Sequence, residues 1–302
     1  MAQTINLSYG DLRASIQREK SRRIREYQAN IAKIKSMRES GLFDTAPEPL
    51  RLIAQGDSWF DYPLPVPKID QSDVVSHLQH LPSKTPHVLP LAMYGESTED
   101  MLGVVKLHEL IQNLNNPTNG GFDAILFSGG GNDLAGNQFR LWLRDAPANA
   151  TNPADALDQV RVDAILGVIR AGYEDLFIAR DKSAYPEIPI FGHSYDFAIP
   201  NGVPVNCVVQ VGPWLKPGLD DRGWKELKTT RKIVRLLLEQ LANMLDGFEA
   251  DKKKKFVHVR TQGTLTAKQW ANELHPKPEG FAAITAKFVA ALRNYHKFRD
   301  RI

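Results

Sequence analysis

Three short segments carry side chains that together could perform acyl transfer. Ser58 lies in the turn Gly56-Asp57-Ser58, directly after a largely apolar run over residues 50–54. Asn132 follows three glycines after a second apolar run, and His275 lies in a late Asn-Glu-Leu-His-Pro stretch. A serine hydroxyl attacks an ester only when a base takes its proton and hydrogen-bond donors hold the developing oxyanion. The segments supply one group of each kind, which predicts a serine hydrolase.

Among the eight histidines, His275 is the best candidate for the base. It alone lies in a late His-Pro turn that leads toward a C-terminal helix. The competing interpretation is a histidine that only caps or packs against that helix.

In this order the segments resemble the blocks of the SGNH (GDSL-type) hydrolases. Those blocks are a Gly-Asp-Ser start, a lone glycine after the second strand, a Gly-x-Asn-Asp turn and a late Asp-x-x-His. The first matches Gly56-Asp57-Ser58, the second is assigned to Gly95, and the third matches Gly130-Gly131-Asn132-Asp133. The fourth departs, because Asn272 takes the place of the aspartate before His275. The resemblance covers most of the chain but not its N-terminal segment.

The resemblance implies an ester hydrolase with an oxyanion hole of three donors. These are the backbone N–H of Ser58, the backbone N–H of Gly95 and the side-chain amide of Asn132. Substrates among similar enzymes include acetylated sugars, lipids, short acyl esters and thioesters. Asp57 and Asp133 are interpreted as carboxylates that hydrogen-bond their own turns. No cofactor is expected.

The group that orients His275 is left open by the sequence. A triad carboxylate stabilises the imidazolium, and replacing it with an amide costs about ten-thousandfold in a serine protease. Glu273 could take this role, although adjacent positions usually point in different directions. A main-chain carbonyl could instead orient a Ser58–His275 dyad, with Asn272 as a structural residue. The last alternative is a catalytically silent relative of the family.

Two further side chains are candidates for substrate contact, and each has a plainer interpretation. Trp59 could line an acyl pocket or belong to the core. His193 follows an apolar run and could touch substrate, or it could be a satisfied histidine at the rim.

His77 and His80 have a spacing that metal ligands use, but flanking leucines favour an ordinary helix. No metal site is predicted.

Alternation of apolar runs with helical stretches predicts how these groups are positioned. Apolar runs at about 50–55, 87–94, 122–128, 188–195 and 256–260 predict five strands. Helices are predicted near 97–115, 155–181, 223–246 and 279–298. The pattern indicates a doubly wound α/β fold of flavodoxin-like type, with a parallel five-stranded sheet and helices on both faces. Ligands bind beyond the carboxyl ends of such strands, where the candidate residues fall.

The N-terminal segment differs in composition from the rest of the chain. Residues 1–45 are predicted to form a basic amphipathic helical extension, and residues 46–302 the hydrolase domain. Ile24, Tyr27 and Ile31 share one narrow face with Ile34. Packing of this face against the domain and pairing with a second copy, giving a homo-oligomer, are both open.

Charge and hydropathy restrict the partners. The net charge is +3, and residues 1–40 hold nine Lys and Arg against four Asp and Glu. Acids are interspersed and no aromatic platform is present, so no nucleic-acid binding is expected, whereas contact of residues 1–40 with a membrane stays open. No apolar stretch approaches the length of a membrane span or of a Sec signal, which indicates a cytoplasmic protein without excluding other export. Cys207, the sole cysteine, is interpreted as a structural thiol.

Two rivals to an ordinary esterase follow from the N-terminal segment and from Asn272. One is a silent SGNH-fold protein that binds a partner through its basic helix. The other is an effector lipase directed at phospholipid, for which the same helix contacts the membrane.

Overall fold

The computed structural model describes residues 9–41, 47–62, 72–148, 152–206 and 210–302. The predicted boundary after residue 45 and the side chain of Cys207 lie outside these ranges, so both stay predictions.

A parallel five-stranded sheet forms the centre of the molecule, as predicted. Its strands are β1 (Arg51–Gly56), β2 (His87–Pro90), β3 (Ala124–Ser128), β4 (Ile190–His193) and β7 (Phe256–Val259), and their order is β2-β1-β3-β4-β7. A small antiparallel pair, β5 (Val205–Asn206) and β6 (Gln210–Val211), lies outside the sheet. The central strand β3 is buried at every position, which is typical of a parallel sheet covered on both faces.

Helices alternate with the strands along the chain. They are α1 (Tyr9–Glu39), α2 (Val74–Gln79), α3 (Thr98–Leu102), α4 (Val104–Asn115), α5 (Gly131–Leu134), α6 (Gln159–Asp181), α7 (Lys216–Asp221), α8 (Leu227–Ala250) and α9 (Pro278–Asn294). The helix predicted at 97–115 is interrupted, because Gly103 has an extended backbone that ends α3 and begins α4.

Helices cover both faces of the sheet. Phe191 in β4 packs against Tyr295 and Phe298, just beyond α9. The next residue, Gly192, faces Tyr173 of α6. Since successive strand residues point to opposite faces, α6 and the C-terminal segment lie on opposite sides of the sheet. This is the predicted doubly wound arrangement.

Helix α1 packs against the edge of the sheet at β2. Tyr27 is 5% exposed and stacks on Phe122, and Ile31 belongs to the same core. Arg23 forms an ion pair with Asp61. The face predicted from the isoleucine and tyrosine spacing therefore contacts the body of the chain, while its role toward a membrane or a second copy stays a prediction. Among the described helices, none combines the length and the apolar character that a membrane span requires.

Candidate active site

The nucleophile turn begins where β1 meets β3. Gly56 is the last residue of β1 and pairs with Ser128 at the end of β3. A Cβ at residue 56 would lie 2.8 Å from the Cβ of Ser128, so only glycine allows the two strands to approach this closely. Asp57 then accepts a hydrogen bond from the backbone N–H of Trp59, as predicted for a carboxylate that holds its own turn. The turn carries Ser58 to the carboxyl edge of the sheet.

Ser58 and His275 lie in hydrogen-bond contact although 217 positions separate them. The distance from Ser58 Oγ to His275 Nε2 is 2.7 Å, and both side chains are largely buried. The indole N–H of Trp59 donates to the carbonyl of Leu274, at 3.1 Å, which ties the two segments together. The structure thus brings together the predicted nucleophile and the predicted base.

Asn272 lies beside the ring nitrogen of His275 that faces away from Ser58. Its Oδ1 lies 3.0 Å from His275 Nδ1. The same oxygen accepts the backbone N–H groups of Leu274 and His275, and its amide nitrogen donates to the Tyr62 hydroxyl. Because two backbone donors require an oxygen at this point, Nδ1 of His275 must carry a proton. Nε2 then presents its lone pair to Ser58, as a general base requires.

The imidazole of His275 is neutral in this environment. Burial lowers its pKa to about 3. An amide partner supplies no negative charge to offset the loss of hydration of an imidazolium. His275 is therefore ready to accept a proton at neutral pH, but the charged form that results is poorly stabilised.

Glu273, the other candidate to orient His275, points elsewhere. It is fully buried, and its carboxylate accepts the backbone N–H groups of Gly202, Trp214, Leu215 and Lys216 at 2.7–3.0 Å. These donors belong to the segment before α7 and to its first turn. The structure thus makes Glu273 an anchor for Gly202 and for residues 214–216, and the alternative in which Glu273 orients His275 is wrong.

The predicted oxyanion donors belong to three segments. The backbone N–H of Met93, two residues before Gly95, donates to the carbonyl of Gly56. Gly95 has a φ of +79°, a conformation that favours glycine. The Asn132 amide donates to the Glu96 carbonyl, at 2.8 Å. Within the described residues, no acceptor bonds the backbone N–H of Ser58 or of Gly95. Asn132 would have to exchange its partner to reach an oxyanion.

Asp133 accepts a hydrogen bond from its own backbone N–H, as predicted, and also bonds a second segment. Its carboxylate accepts the backbone N–H and the hydroxyl of Thr98, at 2.8 and 2.9 Å. It therefore fixes the start of α3 against the Asn132 turn, a role between segments that the sequence could not reveal.

His193 ends β4, as predicted, but it is buried and packs against Trp59 and Phe60 of the nucleophile turn. Its side chain has no exposed surface, and its Nε2 lies 2.8 Å from Ser128 Oγ. Burial, with a smaller effect from the charge of His258, lowers its pKa to about 3. The structure therefore shows a satisfied core histidine and gives no support to substrate contact.

Tyr195 completes this buried network and was not singled out by sequence analysis. Its hydroxyl donates to Asp57 Oδ2 at 2.5 Å, and Ser128 donates to the other carboxylate oxygen at 2.8 Å. Burial raises the pKa of Asp57 to about 6. Tyr195 has a φ of +59°, which is unusual for a residue with a Cβ. Its position two residues beyond the end of β4 was the only signal available in the sequence.

A cavity with a volume of about 50 Å³ opens beside the nucleophile. Ser58, Asn132 and His275 line it, and Trp59 forms part of the wall, so this tryptophan is both a core and a lining residue. The rest of the wall is largely apolar and comes from α8 and from the segments around residues 134–139 and 215. Within the described part of the chain, no group of three or more potential metal ligands is found.

The chain was compared with protein families, curated proteins and solved structures. No family model matches it, and no curated protein matches it in sequence. Several solved structures are similar to this chain. A lipolytic protein of the G-D-S-L family from Veillonella parvula is 14% identical, with 81% of this chain and 98% of that chain covered and a TM-score of 0.47. A GDSL-like lipase from Parabacteroides merdae is 14% identical, with 82% and 97% covered and a TM-score of 0.42.

The acetylxylan esterase Axe2 from Geobacillus stearothermophilus is similar to the same degree. It is 15% identical, with 81% of this chain and 94% of that chain covered and a TM-score of 0.43. These proteins are of the kind that the sequence blocks resemble. At this level of similarity they do not identify the activity of this chain.

Proposed function

We propose that this chain is a serine hydrolase that cleaves carboxylic esters through an acyl-enzyme on Ser58. The observation that carries the proposal is the 2.7 Å contact between Ser58 Oγ and His275 Nε2. The protonated Nδ1 of His275 leaves Nε2 as the acceptor, so the proton of the hydroxyl has a base in place.

The reaction would proceed in two acyl transfers. Ser58 Oγ attacks the ester carbonyl while His275 takes the hydroxyl proton, and the oxyanion is held by the N–H groups of Ser58 and Gly95 and by Asn132. Collapse expels the alcohol, which receives the proton from His275 and leaves an ester on Ser58. Water then attacks this ester, His275 accepts its proton, and collapse returns the proton to Ser58 as the acid departs.

Asn272 acts in this proposal as a positioning residue. It holds the tautomer and ring orientation of His275, but it supplies no charge to the imidazolium. We therefore expect a slow hydrolase compared with one that has a carboxylate at this position.

A silent protein with the same fold is the second candidate, and the amide at position 272 favours it. The two candidates are separated by labelling with a fluorophosphonate and by hydrolysis of p-nitrophenyl butyrate. Parent protein should be labelled at Ser58, Ser58→Ala should lose labelling and hydrolysis, and Ser83→Ala, which alters an exposed loop serine, should retain both. Equal hydrolysis by folded Ser58→Ala and parent protein would contradict the proposal.

A further inference from the structure

The cavity beside Ser58 has an apolar wall that the proposed chemistry does not itself require. Its lining includes Leu134, Ala135 and Phe139, together with Val234 and Leu237 of α8. All of these except Ala135 are buried. The wall therefore offers an apolar surface next to the nucleophile.

The two carboxylates that border the cavity are already engaged by protein donors. Asp57 accepts hydrogen bonds from Tyr195, Ser128 and Trp59. Asp196 accepts the backbone N–H groups of residues 197, 263 and 265, each at 2.6 Å. A hydroxylated or charged acyl group would thus enter the cavity without a partner for its polar atoms, which disfavours binding.

The volume limits the length of the chain that can enter. A water-sized group needs roughly 10–15 Å³ of cavity volume. The cavity of about 50 Å³ therefore holds about three to five methylene-sized groups. The acyl carbonyl itself must stay at Ser58 and the oxyanion donors. A butyryl to hexanoyl chain then fills the cavity, an acetyl group leaves it mostly empty, and a decanoyl chain exceeds it.

We infer that this cavity is the acyl site and selects unsubstituted aliphatic acyl groups of about four to six carbons. The inference rests on the proposed function and adds the class of acyl group. Each methylene moved from water into an apolar site favours binding by about fourfold, so butyrate should be preferred over acetate by about tenfold.

The test is kcat/KM for the p-nitrophenyl esters of acetate, butyrate, hexanoate and decanoate. We expect a maximum at butyrate or hexanoate and a fall of about tenfold or more toward both ends. In Ala135→Leu, which fills the cavity from a half-buried position, the butyrate-to-acetate ratio should fall about tenfold. Ala135→Val is a smaller change for the case in which leucine disturbs folding. Ala286→Leu, on the exposed side of α9, should leave the ratio unchanged.

Labelling of Ser58 by a fluorophosphonate separates the two ways in which the experiment could fail. If Ser58 is labelled but the maximum lies at acetate or decanoate, or folded Ala135 variants keep the parent ratio, the acyl-site inference is overturned and the hydrolase proposal stands. If Ser58 is not labelled and no ester is cleaved, both are overturned.

Discussion

The Oδ1 atom of Asn272 lies 3.0 Å from Nδ1 of His275, on the side of the ring opposite Ser58. This side chain takes the place of a triad carboxylate without its charge. It fixes the ring through one oxygen that also accepts two backbone N–H groups. In the proposed mechanism, Asn272 would supply the orienting function of a third triad member without its charge stabilisation.

Asn272→Asp should restore the missing charge. A carboxylate beside Nδ1 stabilises the imidazolium, so the pKa of His275 should rise from about 3 toward its ordinary value or above it. We expect kcat/KM at about pH 8 to increase by about tenfold or more, since the reverse change in a serine protease costs about ten-thousandfold.

The measurement for Asn272→Asp is the pH profile of ester hydrolysis from about pH 4 to about pH 8. Parent protein should show little acid limb in this range, because His275 stays neutral, whereas the variant should lose activity as the pH falls below about 6–7. Two superimposable flat profiles would show that residue 272 does not control the base.

Glu273→Gln should lower the stability of the fold without changing the protonation behaviour of His275. Four backbone N–H groups converge on this carboxylate, two on each oxygen. A glutamine has only one acceptor oxygen, so its NH2 group would face two N–H donors. We expect the free energy of unfolding to fall by about 2–4 kcal/mol, measured by urea denaturation. The pH dependence of hydrolysis should stay that of the parent. A pH profile of hydrolysis that differs from that of the parent protein would assign Glu273 a part in orienting His275 after all.

His193→Gln should reduce the sensitivity of the fold to acid. His193 is neutral in the folded protein, with a pKa of about 3, and its ordinary value is about 6.5. The unfolded chain thus binds more protons below about pH 6.5, and the stability that comes from keeping His193 neutral is lost as the pH falls toward about 3.

The expected contribution of His193 is a loss of about 1.4 kcal/mol per pH unit within this window. Urea denaturation of parent and variant at about pH 7 and about pH 5 measures it, and carboxylates common to both proteins cancel in the difference. The variant should be less stable at the higher pH but should lose about 2 kcal/mol less on acidification. Equal losses would indicate that His193 is protonated or exposed in the folded state.

Tyr27→Ala tests how firmly α1 is bound to the sheet edge. Tyr27 is 5% exposed and stacks on Phe122 with ring centroids 5.9 Å apart, so its removal should cost about 3–5 kcal/mol of unfolding free energy. Arg25→Ala, on the exposed face of the same helix, should change stability by no more than about 0.5 kcal/mol. Similar small effects of both substitutions would mean that α1 behaves as a separable extension.

The sequence by itself determined the five strands and the place of the nucleophile. Strands buried on both faces are predominantly apolar, so the runs before Ser58 and Asn132 mark where β1 and β3 lie. The glycines at these strand ends, which allow close approach of neighbouring segments, can also be recognised from the local sequence. Such features depend on residues near one another in the chain, and a pattern of residue types records them.

Only the tertiary structure decided whether Asn272 or Glu273 faces His275. The two residues are adjacent, and their directions depend on partners far along the chain: Tyr62 for the amide, and Gly202 with residues 214–216 for the carboxylate. The burial of His193 against the nucleophile turn and the cavity wall supplied by α8 depend likewise on packing between distant elements. Spacing in a sequence does not encode these contacts, because each requires the assembled sheet and its helices to bring the partners together.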